Sequence, residues 1–91
     1  MEAKLYKVNG EVQDVTPANG TDFSLEELQG FVGGYIELGL ISDGRIMVLN
    51  EEGKLNGLAP NQKATEIYQN QVYAFDYVCG DVLICDSEMI K

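Results

Sequence analysis

Histidine is absent from this 91-residue chain, arginine occurs once (Arg45), and proline and cysteine occur twice each. Without histidine there is no side chain whose ordinary pKa lies near neutrality to serve as a general base. The Ser-His and Cys-His arrangements and most zinc sites go with it. Cys79 and Cys85, in "CGDVLIC", supply only half of a four-ligand zinc site, and no other soft ligand exists to complete it. Bases are scarce: Lys4, Lys7, Arg45, Lys54, Lys63 and Lys91 stand singly against fifteen acids, for a net charge of −9. Nucleic-acid binders cluster Lys and Arg to displace counterions, so no nucleic-acid partner is expected. The acidic surface either keeps the protein soluble or meets a basic partner. No acidic run exceeds two residues, which favours solubility. No apolar segment approaches the roughly 18 residues of a membrane span, and "MEAKLYKVNGE" lacks the apolar stretch of a signal peptide. The expectation is a cytoplasmic protein without a membrane partner.

What is present fits one domain over residues 1–91, since domains usually hold about 100–150 residues. A core this small leaves little room for a catalytic cleft. "AKLYKV" and "EVQDV" flank Asn9–Gly10, a hairpin signal. Two registers fit, and pairing Val8 with Val12 and Leu5 with Val15 matches apolar to apolar. "FSLEELQGFVGG" opens a helix: Ser24 as N-cap, Glu27 completing a capping box, Phe23 positioned to staple onto Leu28. Gly33 and Gly34 stop it. "YIELGLI" and "RIMVL" form a second hairpin around "SDG". With Asp43–Gly44 as a two-residue turn, Leu40 faces Met47 and Leu38 faces Leu49. Ile36, Leu38, Leu40, Met47 and Leu49 then lie under the helix, and Glu37 and Asn50 oppose each other on the other face. "NEEGKLNGLAPN" reads as a loop. "NQKATEIYQN" reads as a short helix or an irregular crossing with Ile67 and Tyr68 inward. "QVYAFDYV" and "DVLIC" make a third strand pair around Gly80–Asp81. That pairing sets Cys79 and Cys85 on opposite sheet faces, so they read as reduced core thiols. The fold class is α+β: a small, mainly antiparallel sheet built from hairpins, β-β-α-β-β-(α)-β-β, with one helix packed on one face.

Few constellations carry chemistry. The glycines of "GFVGG" close a helix, whereas phosphate loops open one, and no cofactor is expected. "SDGRIMVLNEEGK" offers oxygen ligands without the Asp-x-Asp-x-Asp-Gly spacing of a calcium loop, so no metal is expected. Carboxylates are numerous enough to supply a hydrolytic pair, which keeps a small enzyme as an alternative. Tyr73, Phe75 and Tyr77 alternate and would share a sheet face, as a core or as the seam of a homo-oligomer.

Two stretches, "LQGFVGGYIE" at Leu28–Glu37 and "NEEGKLNGLAPN" at Asn50–Asn61, resemble the signature of a family of short proteins of unknown function carried by phages, plasmids and conjugative elements. Ala59 stands where a second Pro is common there and Gln62 where Arg is frequent, and the C-terminal "QVYAFDYVCGDVLICDSEMIK" departs from the family pattern. The resemblance implies a mobile-element setting, sometimes beside antirestriction genes, and implies no activity.

The candidate site is a polar patch of Tyr35, Glu37, Asn50, Glu52, Lys54 and Asn61. The competing reading is that these residues only hold the long loop through side-chain-to-backbone hydrogen bonds. The function expected is a non-enzymatic binding or accessory protein that sequesters a small ligand or a partner protein. The alternative is a structural or oligomerisation module without a ligand.

Overall fold

The computed structural model describes residues 3–41, 44–53, 55–72 and 77–90, and of residues 69–72 the backbone alone. Five strands and two helices follow in the order β1 (Ala3–Tyr6), β2 (Val12–Asp14), α1 (Leu25–Val32), β3 (Ile36–Leu40), β4 (Arg45–Asn50), α2 (Gln62–Val72) and β5 (Val82–Asp86). A 3-10 turn at Ser87–Met89 ends the described chain. The sheet is antiparallel throughout, with strand order β2-β1-β5-β4-β3. This is the α+β architecture expected.

The last strand is the central one. Val82, Leu83, Ile84 and Cys85 are four consecutive buried residues. A strand covered on both faces reads as a continuous apolar run rather than an alternation, and "VLIC" is such a run. On one face, Leu28 and Val32 of α1, with Phe23 ahead of its cap, pack on Ala3, Ile46, Val48, Leu83 and Cys85. The intervening residues Met47, Val82 and Ile84 gather Ala64, Ile67 and Tyr68 of α2 into a second cluster. Successive strand side chains point to opposite faces, so α2 covers the face that α1 leaves open. Ile67 and Tyr68 do point inward, as expected.

Helix α1 begins as its sequence dictates. Ser24 Oγ accepts from Glu27 N–H at 3.1 Å, and Glu27 Oε1 accepts from Ser24 N–H at 2.9 Å. Glu27 Oε2 also accepts from Ala18 N–H at 3.0 Å, tying the preceding loop to the helix. The backbone donors of Ser24 and Ala18 hold the Glu27 carboxyl below its ordinary pKa. Phe23 and Phe31 meet edge to face, 5.6 Å between centroids. Gly33 ends the helix in the left-handed conformation (φ 79°) that a Cβ disfavours.

Both hairpin registers differ from expectation: the first loop has the three residues that the apolar pairing required but lies one residue earlier, and the second has three residues where two were expected. Lys7 N–H donates to Glu11 C=O, so the first loop is Val8–Gly10 and Tyr6 pairs with Val12. Ile41 N–H donates to Arg45 C=O, so three residues separate those arms too. Each loop ends on a glycine at positive φ, Gly10 at 92° and Gly44 at 74°. In the first loop Gly10 N–H donates back to Lys7 C=O at 3.0 Å, the three-residue hairpin loop that a left-handed residue closes. In the second hairpin Leu40 therefore pairs with Ile46, Leu38 with Val48, Glu37 with Leu49 and Ile36 with Asn50. A slip of one residue exchanges the faces. Met47 and Leu49 lie under α2, while Leu38 and Leu40 stand on the α1 side but beyond its reach, 46% and 72% exposed.

The third strand pair is not formed as expected. Gln71 and Val72 end α2, Tyr77 and Val78 are outside any strand, and β5 pairs with β1 and β4. Residues 73–76 lie outside the described residues. Cys79 makes an isolated bridge with Pro60. Both cysteines are buried free thiols, and burial, then the charge of Asp86, pushes the Cys85 thiol up to about 11.

Leu83→Ala should cost about 2–5 kcal/mol through the cavity it leaves, and Leu38→Ala about 1 kcal/mol or less because half of that side chain already meets water. Urea melts of the two variants at concentrations where the chain is monomeric would rank them, and an equal cost there would refute this register. Glu27 carries a pH signature. Its pKa is depressed on folding, so its charge stabilises the native state above the unfolded value near 4.5 and ceases to do so as pH falls through the native value. The stability gap between wild type and Glu27→Gln should be open at neutral pH and close on acidification, as followed by denaturant midpoints across a pH series.

Candidate functional site

The loop from β4 to α2 is framed by two asparagines. Asn50, buried at the end of β4, donates from Nδ2 to Val32 C=O at 3.1 Å and accepts Glu52 N–H at Oδ1 at 2.8 Å. It thus joins the C-terminus of α1 to the first turn of the loop. A Cβ on Gly34 would come within 2.9 Å of that Nδ2, so Gly34 is the residue that lets the amide in. Asn61 is 1% exposed. Its Nδ2 donates to Tyr6 C=O at 2.8 Å and Gly80 C=O at 2.9 Å, and its Oδ1 accepts Ala64 N–H at 3.1 Å. It caps α2 while clamping the ends of β1 and of the segment before β5. Between them, Gly53 N–H donates to Asn50 C=O, Asn56 N–H to Glu52 C=O and Leu58 N–H to Gly53 C=O.

The expected patch is divided by this geometry. Glu37, Asn50 and Glu52 share one concavity of about 380 Å³. Tyr35 is exposed and away from it, its carbonyl accepting Glu51 N–H at 2.9 Å. Asn61 lies at a separate hollow beside Lys7, Asn9 and Lys63. Glu37 does not oppose Asn50, as the two-residue turn required. It pairs with Leu49, and Asn50 sits on the α1 side. Lys54, Tyr73 and Phe75 lie outside the described residues. Tyr77, half exposed, borders the concavity.

Several lining residues, among them Leu49, Glu51, Leu55 and Tyr68, were not singled out in the sequence as site residues. Glu51 and Leu55 carried no periodicity to flag them, and Tyr68 read only as an inward helix residue. The resulting wall has two characters. Glu37, Glu51 and Glu52 supply carboxylates from β3 and the turn after β4. Leu49, Tyr68 and Tyr77 supply apolar and aromatic surface. Among the described residues no three Cys, Asp or Glu converge as metal ligands.

Asn50 and Asn61 are explained by the fold alone, while Glu51, Glu52 and Leu55 (86% exposed) are not. Asn61→Ala should therefore lose the α2 cap and leave two buried carbonyls unpartnered, a destabilisation of about 2–4 kcal/mol. Glu52→Ala should change stability by less than about 0.5 kcal/mol. Thermal or urea unfolding of both variants checks the contrast.

Nothing among curated proteins or solved structures matches the chain. A family model described as "Domain of unknown function (DUF3846)" matches residues 5–89, nearly the whole of the described sheet and both helices. The chain belongs to that family.

Proposed function

We propose that this domain is a non-catalytic binding module, an accessory protein of a phage, plasmid or conjugative element. It holds a basic side chain of a partner protein in the concavity between β3, the turn after β4, and α2. One observation carries the reading: Glu37, Glu51 and Glu52 surround the same 380 Å³ space as Tyr68 and Tyr77. Lysine and arginine have the matching two-part chemistry. Their aliphatic stems cover apolar surface while the cation stays at the rim, and a cation is attracted both to carboxylates and to the face of a tyrosine ring. The net charge of −9 supports the same partner, because an acidic surface draws a basic protein in at long range. The exposed Glu51, Glu52 and Leu55 fit as well, since the fold places no demand on them. The mobile-element setting rests on the resemblance carried by Leu28–Glu37 and Asn50–Asn61. Sequestering a host protein, for example one of a defence system, is the action this setting favours.

The test is an NMR titration with short capped peptides that contain lysine or arginine flanked by glycine. Saturable shifts of the Tyr68 and Tyr77 ring signals are expected, weakening with added salt. The double variant Glu37→Gln, Glu52→Gln should bind about tenfold more weakly, a loss of ~1.4 kcal/mol. Tyrosine signals that do not move, or equal affinity in the double variant, would rule the site out.

A further inference from the structure

Among the described residues no strand pairs with the outer edge of β3. Antiparallel ladders bond alternate residues to each neighbour. Glu51 N–H donates to Tyr35 C=O and Ile41 N–H to Arg45 C=O, so Tyr35, Glu37, Gly39 and Ile41 face β4. The backbone N–H and C=O groups of Ile36, Leu38 and Leu40 then point to the open side, where the strand order ends among the described residues. Native proteins blunt such edges with charge, proline or brevity. The opposite edge, β2, is blunted in that way: three exposed residues, Val12–Asp14, with Asp14 held by Lys4 at 2.9 Å. β3 is longer, lacks proline, and displays Leu38 and Leu40 to water. Leu25 of α1, 57% exposed, stands near Ile36 and Leu38 across an apolar groove of about 450 Å³.

We infer that β3 is the seam of a homodimer, in which two copies pair antiparallel about a two-fold axis at Leu38 and join their sheets. The segment "IELGL" is self-complementary in that register. Leu38 meets Leu38, Ile36 meets Leu40, and Glu37 meets Gly39 of the second copy. Every apolar side chain on the seam gains an apolar partner, and the one charged residue of the strand is set against a glycine instead of a like charge, which is the costly cross-strand pair. The Ile36–Leu40 pair also brings Leu40 of the second copy to the groove beside Leu25 and Leu28. The isologous contact closes after two copies and leaves no free β3 edge. Its leucines lie on the side of the sheet that bears α1; Glu37 belongs to both seam and concavity, so the seam is tested at Leu40, which does not line the concavity.

Sedimentation equilibrium of the full chain at about 0.15 M salt should give twice the 10.0 kDa chain mass. Added salt should strengthen the dimer, because each copy carries −9. Leu40→Glu, at a side chain that is 72% exposed and so tolerant of charge, should return the protein to the monomer mass with unchanged circular dichroism. Leu38→Cys should form a disulfide-linked dimer under mild oxidation, while Leu55→Cys should not. The native Cys79 and Cys85 are buried and give little background. A monomer at all concentrations, a dimer indifferent to Leu40→Glu, or cross-linking through Leu55→Cys but not Leu38→Cys would each overturn the assignment.

Discussion

The structure depends on β5 lying between β1 and β4. Those two strands belong to separate hairpins, and it is Val82–Asp86 that links them into one sheet. The strand bonds on both edges and is buried on both faces, which is the strongest position a short segment can hold. Burial of side chains such as Leu83 and Ile84 contributes about 1.5–3 kcal/mol each. With β5 in place, α1 gains its floor of Leu83 and Cys85, and α2 gains its floor of Val82 and Ile84. The C-terminal end then fastens the first helix as well, through Phe23 N–H donating to Met89 C=O.

Two buried amides set the shape around that strand. A buried polar group is costly unless it is hydrogen-bonded, and neither Asn50 nor Asn61 is left wanting. Each spends its amide on backbone groups at the ends of other elements: Val32 and Glu52 for Asn50; Tyr6, Gly80 and Ala64 for Asn61. These bonds hold the β4–α2 loop at both ends. The loop's acidic residues are thereby carried to the edge of the hollow next to Tyr68 and Tyr77 without having to stabilise anything themselves.

The domain therefore presents two surfaces that meet at Glu37. One, beside α2, is concave and acidic with an aromatic floor. The other, at β3, is a backbone edge that no strand covers among the described residues, fringed by leucines on the α1 side. The proposed binding of a basic side chain uses the first and the proposed dimer uses the second. A dimer would double the acidic hollows in one assembly, which raises avidity for a partner with repeated basic groups.

Local chemistry was legible in the sequence wherever one segment decided it. The capping box of Ser24 and Glu27, the stop at Gly33, the existence of both hairpins, the inward Ile67 and Tyr68, and the α+β class all follow from residues close together in the chain. The registers were not legible: in "NG" the three-residue loop lies one residue earlier than apolar pairing suggests, and in "SDG" a three-residue loop that ends on glycine and a two-residue turn that contains it look alike. Yet they differ by the one residue that exchanges sheet faces. That slip moved Met47 and Leu49 under α2, left Leu38 and Leu40 at the edge, and separated Glu37 from Asn50. Nor could the sequence by itself show that "VLIC" pairs with the first and fourth strands rather than with its neighbour. That choice is made by two apolar faces that form only when all the elements meet. The site was half visible for the same reason: Asn50 and Asn61 stood out as polar residues at loop ends, but the partners that make them clamps, Val32, Gly80 and Tyr6, lie 18 to 55 residues away. Only tertiary packing decided that they are clamps and that Glu37, Glu51, Glu52, Tyr68 and Tyr77 share a wall.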